Sequence, residues 1–173
     1  MKENWFGRLA AAGLIRKPRP NVNLVEQVDV YGYLTLKTIR ASTGEVVQVS
    51  EGKNIVTNGG RTALSHLFAG DDVANKQIVN IEFGDGTGVV DITDVALFGA
   101  SIIVKPVTPS FPATTQVTFT GTVDQFEGNG GGSQVYQEAA LRTGDNTFAT
   151  HRTFGSVTKD NTLVLLATWS FVF

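Results

Sequence analysis

The last eleven residues of this chain, LVLLATWSFVF, constrain its fold more than any other stretch. Apolar side chains recur at every second position, at Leu163, Leu165, Ala167, Trp169, Phe171 and Phe173. A two-residue period places these side chains on one face of a β-strand. A strand this apolar would promote aggregation if it lay at an exposed sheet edge. The pattern therefore predicts that it lies in the middle of a sheet or against a partner.

Other short stretches show the same strand character and are separated by turn residues. They are Leu24–Arg40, the segment after a turn at Ser42–Gly44, Ile78–Phe83, Ala96–Val107, Val117–Val123, Gln134–Arg142 and Phe148–Phe154. Together with the C-terminal strand, this spacing predicts about seven to nine strands. The chain also contains 19 Gly and 11 Phe, which favours strands and tight turns over a helical bundle. Gly128–Ser133, GNGGGS, is predicted to be the most flexible segment, a hairpin tip or a mobile loop.

One sizeable helix is predicted just after Thr57. Thr57 and Asn58 are residues that cap helix N-termini, because a side-chain oxygen there accepts a free N–H. The apolar residues Ala63, Leu64, Leu67 and Phe68 form one helical stripe, and Gly70 is a typical C-terminal stop. We expect this helix to plug the sheet structure. The predicted fold class is therefore mainly β, a β-sandwich or jelly-roll-like domain with one inserted core helix and a short N-terminal amphipathic helix.

The first 20 residues differ in charge from the rest of the chain. They contain five basic side chains and one acidic side chain, a net charge of +4, whereas residues 21–173 carry −6. A short helix is predicted from Glu3 to Ile15, followed by the basic, proline-containing segment Arg16–Pro20. Three interpretations stay open for this helix: packing on its own domain, docking on a neighbouring subunit, or lying on a membrane surface. We predict two domains, an N-terminal docking arm (1–20) and a β-sandwich domain (21–173).

Composition excludes several kinds of chemistry. The chain has no cysteine, which removes disulfides, thiolate metal sites and cysteine nucleophiles. Its net charge is −2, so no overall basic field attracts nucleic acid. No apolar run reaches the roughly 18 residues that a membrane-spanning helix needs. The apolar run Leu9–Ile15 is followed by RKPRP rather than by small residues, so we expect no cleaved signal peptide.

No sequence motif predicts a catalytic or metal site. The GDGTG stretch at Gly84–Gly88 lacks the Lys-Ser/Thr pair of a phosphate-binding loop and is interpreted as a turn. Asp85, Asp91 and Asp94 do not have the spacing of an EF-hand calcium site. His66 and His151, the two histidines, lie outside any HxxxH frame, and Glu138 is interpreted as a hydrogen-bonding residue in a strand. We expect no enzyme activity, no cofactor and no bound metal.

The order of several segments resembles that of tailed-bacteriophage virion structural proteins, of the capsid decoration, collar and tail-appendage kinds. The resemblance rests on NIVTNGGRTALSHLFAG (Asn54–Gly70), IEFGDGTG (Ile81–Gly88), YQEAALRT (Tyr136–Thr143), THRTFGSVTKD (Thr150–Asp160) and LLATWSFVF (Leu165–Phe173). In such proteins a Gly often follows the acidic residue of the EAxL segment, whereas this chain has Ala139-Ala140. Residues 1–50 lie outside the resemblance.

The resemblance implies a non-enzymatic virion component that assembles as a homo-oligomer in the host cytoplasm. Its partners would be capsid, portal, neck or tail proteins rather than nucleic acid or membrane. The N-terminal arm is the predicted docking element, because aromatic anchors in pockets dominate many interfaces. The predicted contacts are the apolar anchors Trp5, Phe6, Leu9 and Leu14 and the basic residues Arg8, Arg16, Lys17 and Arg19, which would meet an acidic surface.

Two other functions remain as hypotheses from sequence. The first is a carbohydrate-binding β-sandwich module that recognises a host surface, with Trp5, Trp169 and the three tyrosines as the available stacking groups, although Trp169 is predicted to lie in the core. The second, weaker hypothesis is a hydrolase with a dispersed pair of acidic residues that includes Glu138.

Overall fold

The computed structural model describes residues 30–173, which form nine antiparallel β-strands and two helices. The predicted mainly β fold is confirmed. The helices are α1 (Asn58–Ala69) and α2 (Val73–Lys76). The strands are β1 (Tyr31–Arg40), β2 (Val46–Val56), β3 (Ile78–Gly84), β4 (Ser101–Pro106), β5 (Thr108–Ala113), β6 (Gln116–Val123), β7 (Ser133–Thr143), β8 (Phe148–Asp160) and β9 (Leu163–Val172). The predicted N-terminal helix and all eight predicted docking residues lie outside the described residues.

The nine strands form one curled sheet in the order β4-β3-β7-β8-β2-β1-β9-β6-β5. The C-terminal strand β9 pairs with β1 on one side and with β6 on the other. The prediction of a central position is therefore confirmed. Only Ile55 and Val56 of β2 pair with β8, so the sheet bends at this short junction. Its two halves then face each other across a common core.

The core lies between these two halves of the sheet. Alternate side chains of β9 and β1 point inward, and Trp169 is fully buried. On the opposite half, Phe83 packs edge-on against Tyr136 at 5.8 Å between ring centroids. The halves approach closely, since a Cβ on Gly121 of β6 would lie 2.6 Å from Ile81 Cγ2 of β3. Burial of these apolar faces is the main favourable term for the fold.

Helix α1 has the predicted boundaries, because its caps are local sequence features. The Thr57 side chain accepts a hydrogen bond from the Gly60 N–H at 3.1 Å, and Gly70 adopts the left-handed conformation at the C-terminus. Within α1 only Gly60 and Ala63 are buried, and Phe68 is 81% exposed. The helix therefore lies against the start of β8, and its apolar stripe is less deeply buried than a plug of the core would be.

The chain between β3 and β6 departs most from the sequence prediction. Ala96–Val107 is predicted as one apolar strand, but residues 85–100 form a long loop and β4 begins only at Ser101. Strand β5 is not predicted at all, because it contains Pro109 and Pro112. Proline lacks the N–H that a central strand must donate, so such a strand fits only at a sheet edge. Strand β5 occupies that edge position.

The turn between β7 and β8 is held by Asp145, which gives an acid-stability prediction. The Lys76 ammonium, together with hydrogen bonds from Thr143 and Thr147, holds the pKa of Asp145 well below its usual range. A carboxyl with a lowered folded-state pKa stabilises the fold above its unfolded pKa, and this stabilisation is lost as the pH falls. We expect Asp145→Asn to lower the free energy of unfolding by about 1 kcal/mol at pH 7. Urea unfolding should show this difference shrinking progressively below about pH 4. A constant difference down to pH 2 would contradict the prediction.

Candidate functional site

Three ionisable side chains are buried together beneath the loop of residues 85–100. Glu138 of β7 and His151 of β8 are both 0% exposed. Asp94 comes from the loop itself, and its side chain is 11% exposed. Buried charges are costly unless they are paired and hydrogen-bonded. We call Glu138, His151 and Asp94 the Glu–His–Asp cluster.

Strand pairing brings Glu138 and His151 to the same face of the sheet. Glu138 is paired with Thr153, and Ala140 is paired with His151. Residues two apart on a strand point to the same side, so these positions share one face. The pairing of β7 with β8 shifts in register between Tyr136 and Glu138. This irregularity lets Tyr136 face the core while Glu138 faces the loop.

The Glu138 carboxylate binds both ends of the loop. Its Oε1 accepts hydrogen bonds from the backbone N–H groups of Gly86 and Gly99, each at 2.8 Å. Its Oε2 accepts from the Phe98 N–H at 2.9 Å and lies 3.0 Å from His151 Nε2. A carboxylate offers about four acceptor positions, so all of them are used. Three peptide dipoles and one imidazole therefore stabilise the buried negative charge.

His151 joins Glu138 to the middle of the loop. Its Nδ1 lies 2.6 Å from Asp94 Oδ2, and its Nε2 faces Glu138. Both ring nitrogens of His151 are therefore within hydrogen-bond distance of a carboxylate oxygen. The rings of Phe98 and Phe148 cover His151, with centroids at 4.8 and 5.0 Å.

Glycine is required where the loop backbone approaches the carboxylate. A Cβ on Gly86 would lie 2.3 Å from the Gly99 nitrogen and 2.4 Å from Glu138 Oε1. A Cβ on Gly99 would lie 2.3 Å from Asp85 Oδ1. Real Cβ contacts are longer than this, so neither position accepts a side chain without displacing the loop. The GDGTG segment is therefore part of a carboxylate-binding loop in which Gly86 donates its N–H to Glu138.

The cluster fastens the loop through the side chains of Glu138 and His151. Both Glu138 oxygens and both His151 nitrogens have protein partners. The other loop aspartates are also used locally: Asp85 accepts from the Ala100 N–H, and Asp91 accepts from Thr93. These contacts hold the loop of residues 85–100 against strands β7 and β8.

A second loop, at residues 124–132, is anchored by the fully buried Lys159. The Lys159 Nζ donates to the backbone oxygen of Glu127 and to Asn129 Oδ1, both at 2.7 Å. The Tyr136 hydroxyl donates to the Gly128 oxygen at 2.6 Å. Burial lowers the pKa of Lys159 and raises the pKa of Tyr136 to about 12. The glycine-rich segment predicted as most flexible is thus tied at its base to the sheet.

The structure brings together residues that the sequence presents separately. Glu138 is confirmed as a hydrogen-bonding strand residue, but its link to His151 and Asp94 is missed. The available signal was the acidic Glu138 directly before the apolar residues Ala139–Leu141, since an acidic residue buried with them needs hydrogen-bonding partners. His66, the other histidine, lies at the surface, where its Nδ1 is 2.9 Å from Asp71 Oδ2. Ser65 and Ser156 are both exposed and lie outside the cluster.

Between residues 30 and 173, no group of three or more potential ligands is arranged to hold a metal ion. Neither helix in this range is long and apolar enough to cross a membrane. A scan against protein-family models, a search of curated proteins and a search of solved structures each returned no match to this chain.

Proposed function

We propose that this chain is a non-enzymatic structural protein of a tailed-bacteriophage virion. It would bind the capsid or neck in several copies, as a decoration, collar or appendage-anchoring component. The sequence resemblance suggests this role. The Glu–His–Asp cluster supports it, because the cluster holds a surface loop in a fixed position on the sheet. Three of the resembling segments meet there, through Gly86, Glu138 and His151.

The observation that carries the proposal is the display of apolar side chains on anchored loops. Val89 and Val95 are 92% and 80% exposed, on the loop that the Glu–His–Asp cluster fastens. Phe126 is 76% exposed, on the loop that Lys159 fastens. Apolar side chains exposed in this way can contribute to a protein interaction site where they form a contiguous patch, and a loop held rigid loses little entropy on binding. These loops are suited to be covered by neighbouring subunits in an assembly.

Deleting residues 1–20 tests the docking role of the N-terminal arm. We expect the shortened chain to keep its fold, measured by circular dichroism and urea unfolding, because residues 30–173 contain the whole described sheet. Association with purified particles should fall at least tenfold in a sedimentation assay. Binding of the full-length chain should also weaken with added salt, since the +4 segment would meet an acidic surface. Undiminished binding after the deletion would refute the arm's docking role.

The loop surface can be tested in the same assay. The variant Val89→Asp places one charge on the exposed loop, at a residue outside the Glu–His–Asp cluster. Thr158→Asp is a matched control, because it adds a charge at an exposed position in strand β8. We expect only the loop variant to lose incorporation into particles. Immunogold labelling would then distinguish head, neck and tail, and an absence of label from every particle would overturn the virion proposal.

The carbohydrate-binding hypothesis has one observation in its favour. Tyr31 and Tyr33 of β1 are 54% and 41% exposed, and their two-residue spacing puts them on the same outer face. Trp169 and Tyr136 are buried and offer no ring to a sugar. Saturable binding on a glycan array, lost in Tyr31→Ala/Tyr33→Ala, would favour this function over the virion role.

A further inference from the structure

A large apolar groove lies between helix α1 and the β5–β6–β9 end of the sheet. Its cavity volume is about 420 Å³, within the roughly 300–1,000 Å³ of typical ligand sites. One wall consists of Ala63, Leu64 and Leu67 of α1, and the other includes Val117 and Phe171. Within residues 30–173, the side chains that line the groove are mostly apolar, so the groove is suited to bind large apolar groups.

Two phenylalanines stand at the rims of the groove with most of their surface exposed. Phe68 of α1 is 81% exposed, and Phe111 of β5 is 78% exposed. Aromatic side chains of this size bury about 150–250 Å² when covered, which is a strong driving force. A segment lying between the two rings would cover both of them. The rims therefore fit an extended or helical segment with aromatic side chains.

The chain enters the described structure next to this groove. The Val30 side chain packs against the core, and Tyr31 pairs with Val172 of β9. The neighbouring residues of that strand end, Phe171 and Phe173, both line the groove. Residues 1–29 are thus tethered at the groove's own edge. The 15 residues between Leu14 and Val30 can span up to about 50 Å, so they place no limit on reaching it.

The N-terminal segment also matches the groove in chemistry. It contains Trp5 and Phe6 in direct succession, followed by Leu9 and Leu14. Residues 30–173 carry nine basic and thirteen acidic side chains, a net charge of −4 that complements the +4 of residues 1–20. Asp71 lies two positions after the end of α1, is paired with His66 and has a side chain that is 68% exposed. Lys76 also lines the groove, where its charge is paired with Asp145. The basic stretch Arg16–Arg19 would meet the negative charge of Asp71.

We propose that this groove holds the N-terminal segment of the same chain. Trp5 and Phe6 would lie between the Phe68 and Phe111 rims. The tether favours the chain's own segment, because a covalent connection makes the association intramolecular, with an effective concentration on the order of millimolar. This site goes beyond the proposed virion role and does not depend on it. If both hold, the groove covers the docking anchors in the free protein, and a virion partner must displace them.

Disulfide trapping tests the proposal, because the chain has no cysteine of its own. One variant carries Ala11→Cys and Thr114→Cys, the second cysteine being at an exposed turn that lines the groove. The matched control carries Ala11→Cys and Thr158→Cys. Thr158 is exposed near the far end of β8, about 30 Å along the strand from the groove residue Ala149. Both are full-length chains whose new cysteines at 114 and 158 replace exposed residues.

We expect the groove pair to form an intramolecular disulfide at least tenfold faster than the control pair, in dilute protein with a glutathione buffer. Intact mass spectrometry distinguishes a closed monomer from a linked dimer. Adding Trp5→Ala and Phe6→Ala to the groove pair should lower its rate to that of the control. Equal rates for the two pairs would overturn the proposal. So would disulfides found only between two chains, which would assign the groove to a second copy. Neither of these two results would decide whether the protein binds virion particles, which the sedimentation assay measures separately.

Discussion

Replacing Glu138 with alanine is expected to lower the free energy of unfolding by about 3–5 kcal/mol. The substitution removes the acceptor of the N–H groups of Gly86, which is buried, and of Phe98 and Gly99, whose hydrogen bonds are partly buried. It also leaves His151 between one carboxylate and an empty space. An unpaired buried group costs its full desolvation free energy, which is why the loss exceeds that of an average hydrogen bond. We expect the loop of residues 85–100 to detach from the sheet.

Urea unfolding and amide hydrogen exchange measure these two effects. Glu138→Gln keeps the shape but turns an amide N–H₂ toward donors, so it should recover only part of the lost stability. Glu127→Gln is the matched control, because it makes the same change in a partly exposed ion pair with Lys105. That control should cost about 0–1 kcal/mol. Equal losses in Glu138→Gln and Glu127→Gln, with unchanged exchange in the loop, would contradict the anchoring role.

The second large effect is expected for Gly60→Ala in helix α1. Alanine favours a helix over glycine by about 1 kcal/mol when space is available, so local propensity predicts stabilisation. The tertiary structure predicts the opposite. A Cβ at this position would lie 2.1 Å from the backbone oxygen of Ala149 in β8. Neither backbone can yield without moving α1 off the strand, so we expect a loss of about 3 kcal/mol or more.

Gly155→Ala provides the control for this comparison. Gly155 lies in β8, and a Cβ there would meet no atom within 4 Å. We expect its free energy of unfolding to change by at most about 0.5 kcal/mol. Thermal and urea unfolding of the two variants side by side test the close approach of helix and strand. A Gly60→Ala protein as stable as the parent would mean that α1 does not pack on β8 at this distance.

The predictable parts of this fold are those written in short-range patterns. The two-residue period of the last strand indicates a buried face whatever its neighbours are, and β9 is accordingly central. The cap at Thr57 and the stop at Gly70 act within one turn of the helix, so α1 begins and ends as predicted. Such features depend on residues close together in sequence.

The missed parts depend on residues far apart in sequence. The apolar run Ala96–Val107 has strand character, but the N–H groups of Phe98 and Gly99 are used by Glu138, about forty residues away. The strand can begin only after them, at Ser101. His151 and Asp94 are likewise separated by 57 positions. No local sequence pattern indicates that these residues contact each other.

The sequence by itself determined the β class, the central C-terminal strand, and the caps of α1. The tertiary structure alone decided which buried ionisable side chains contact each other. Register shifts in the pairing of β7 with β8 turn Glu138 away from the core and toward His151. The pairing changes from Tyr136 with Val157 to Glu138 with Thr153, and alternation in sequence carries no mark of where such an irregularity falls. The same curling of the sheet creates the apolar groove beside the entry of the chain at Val30.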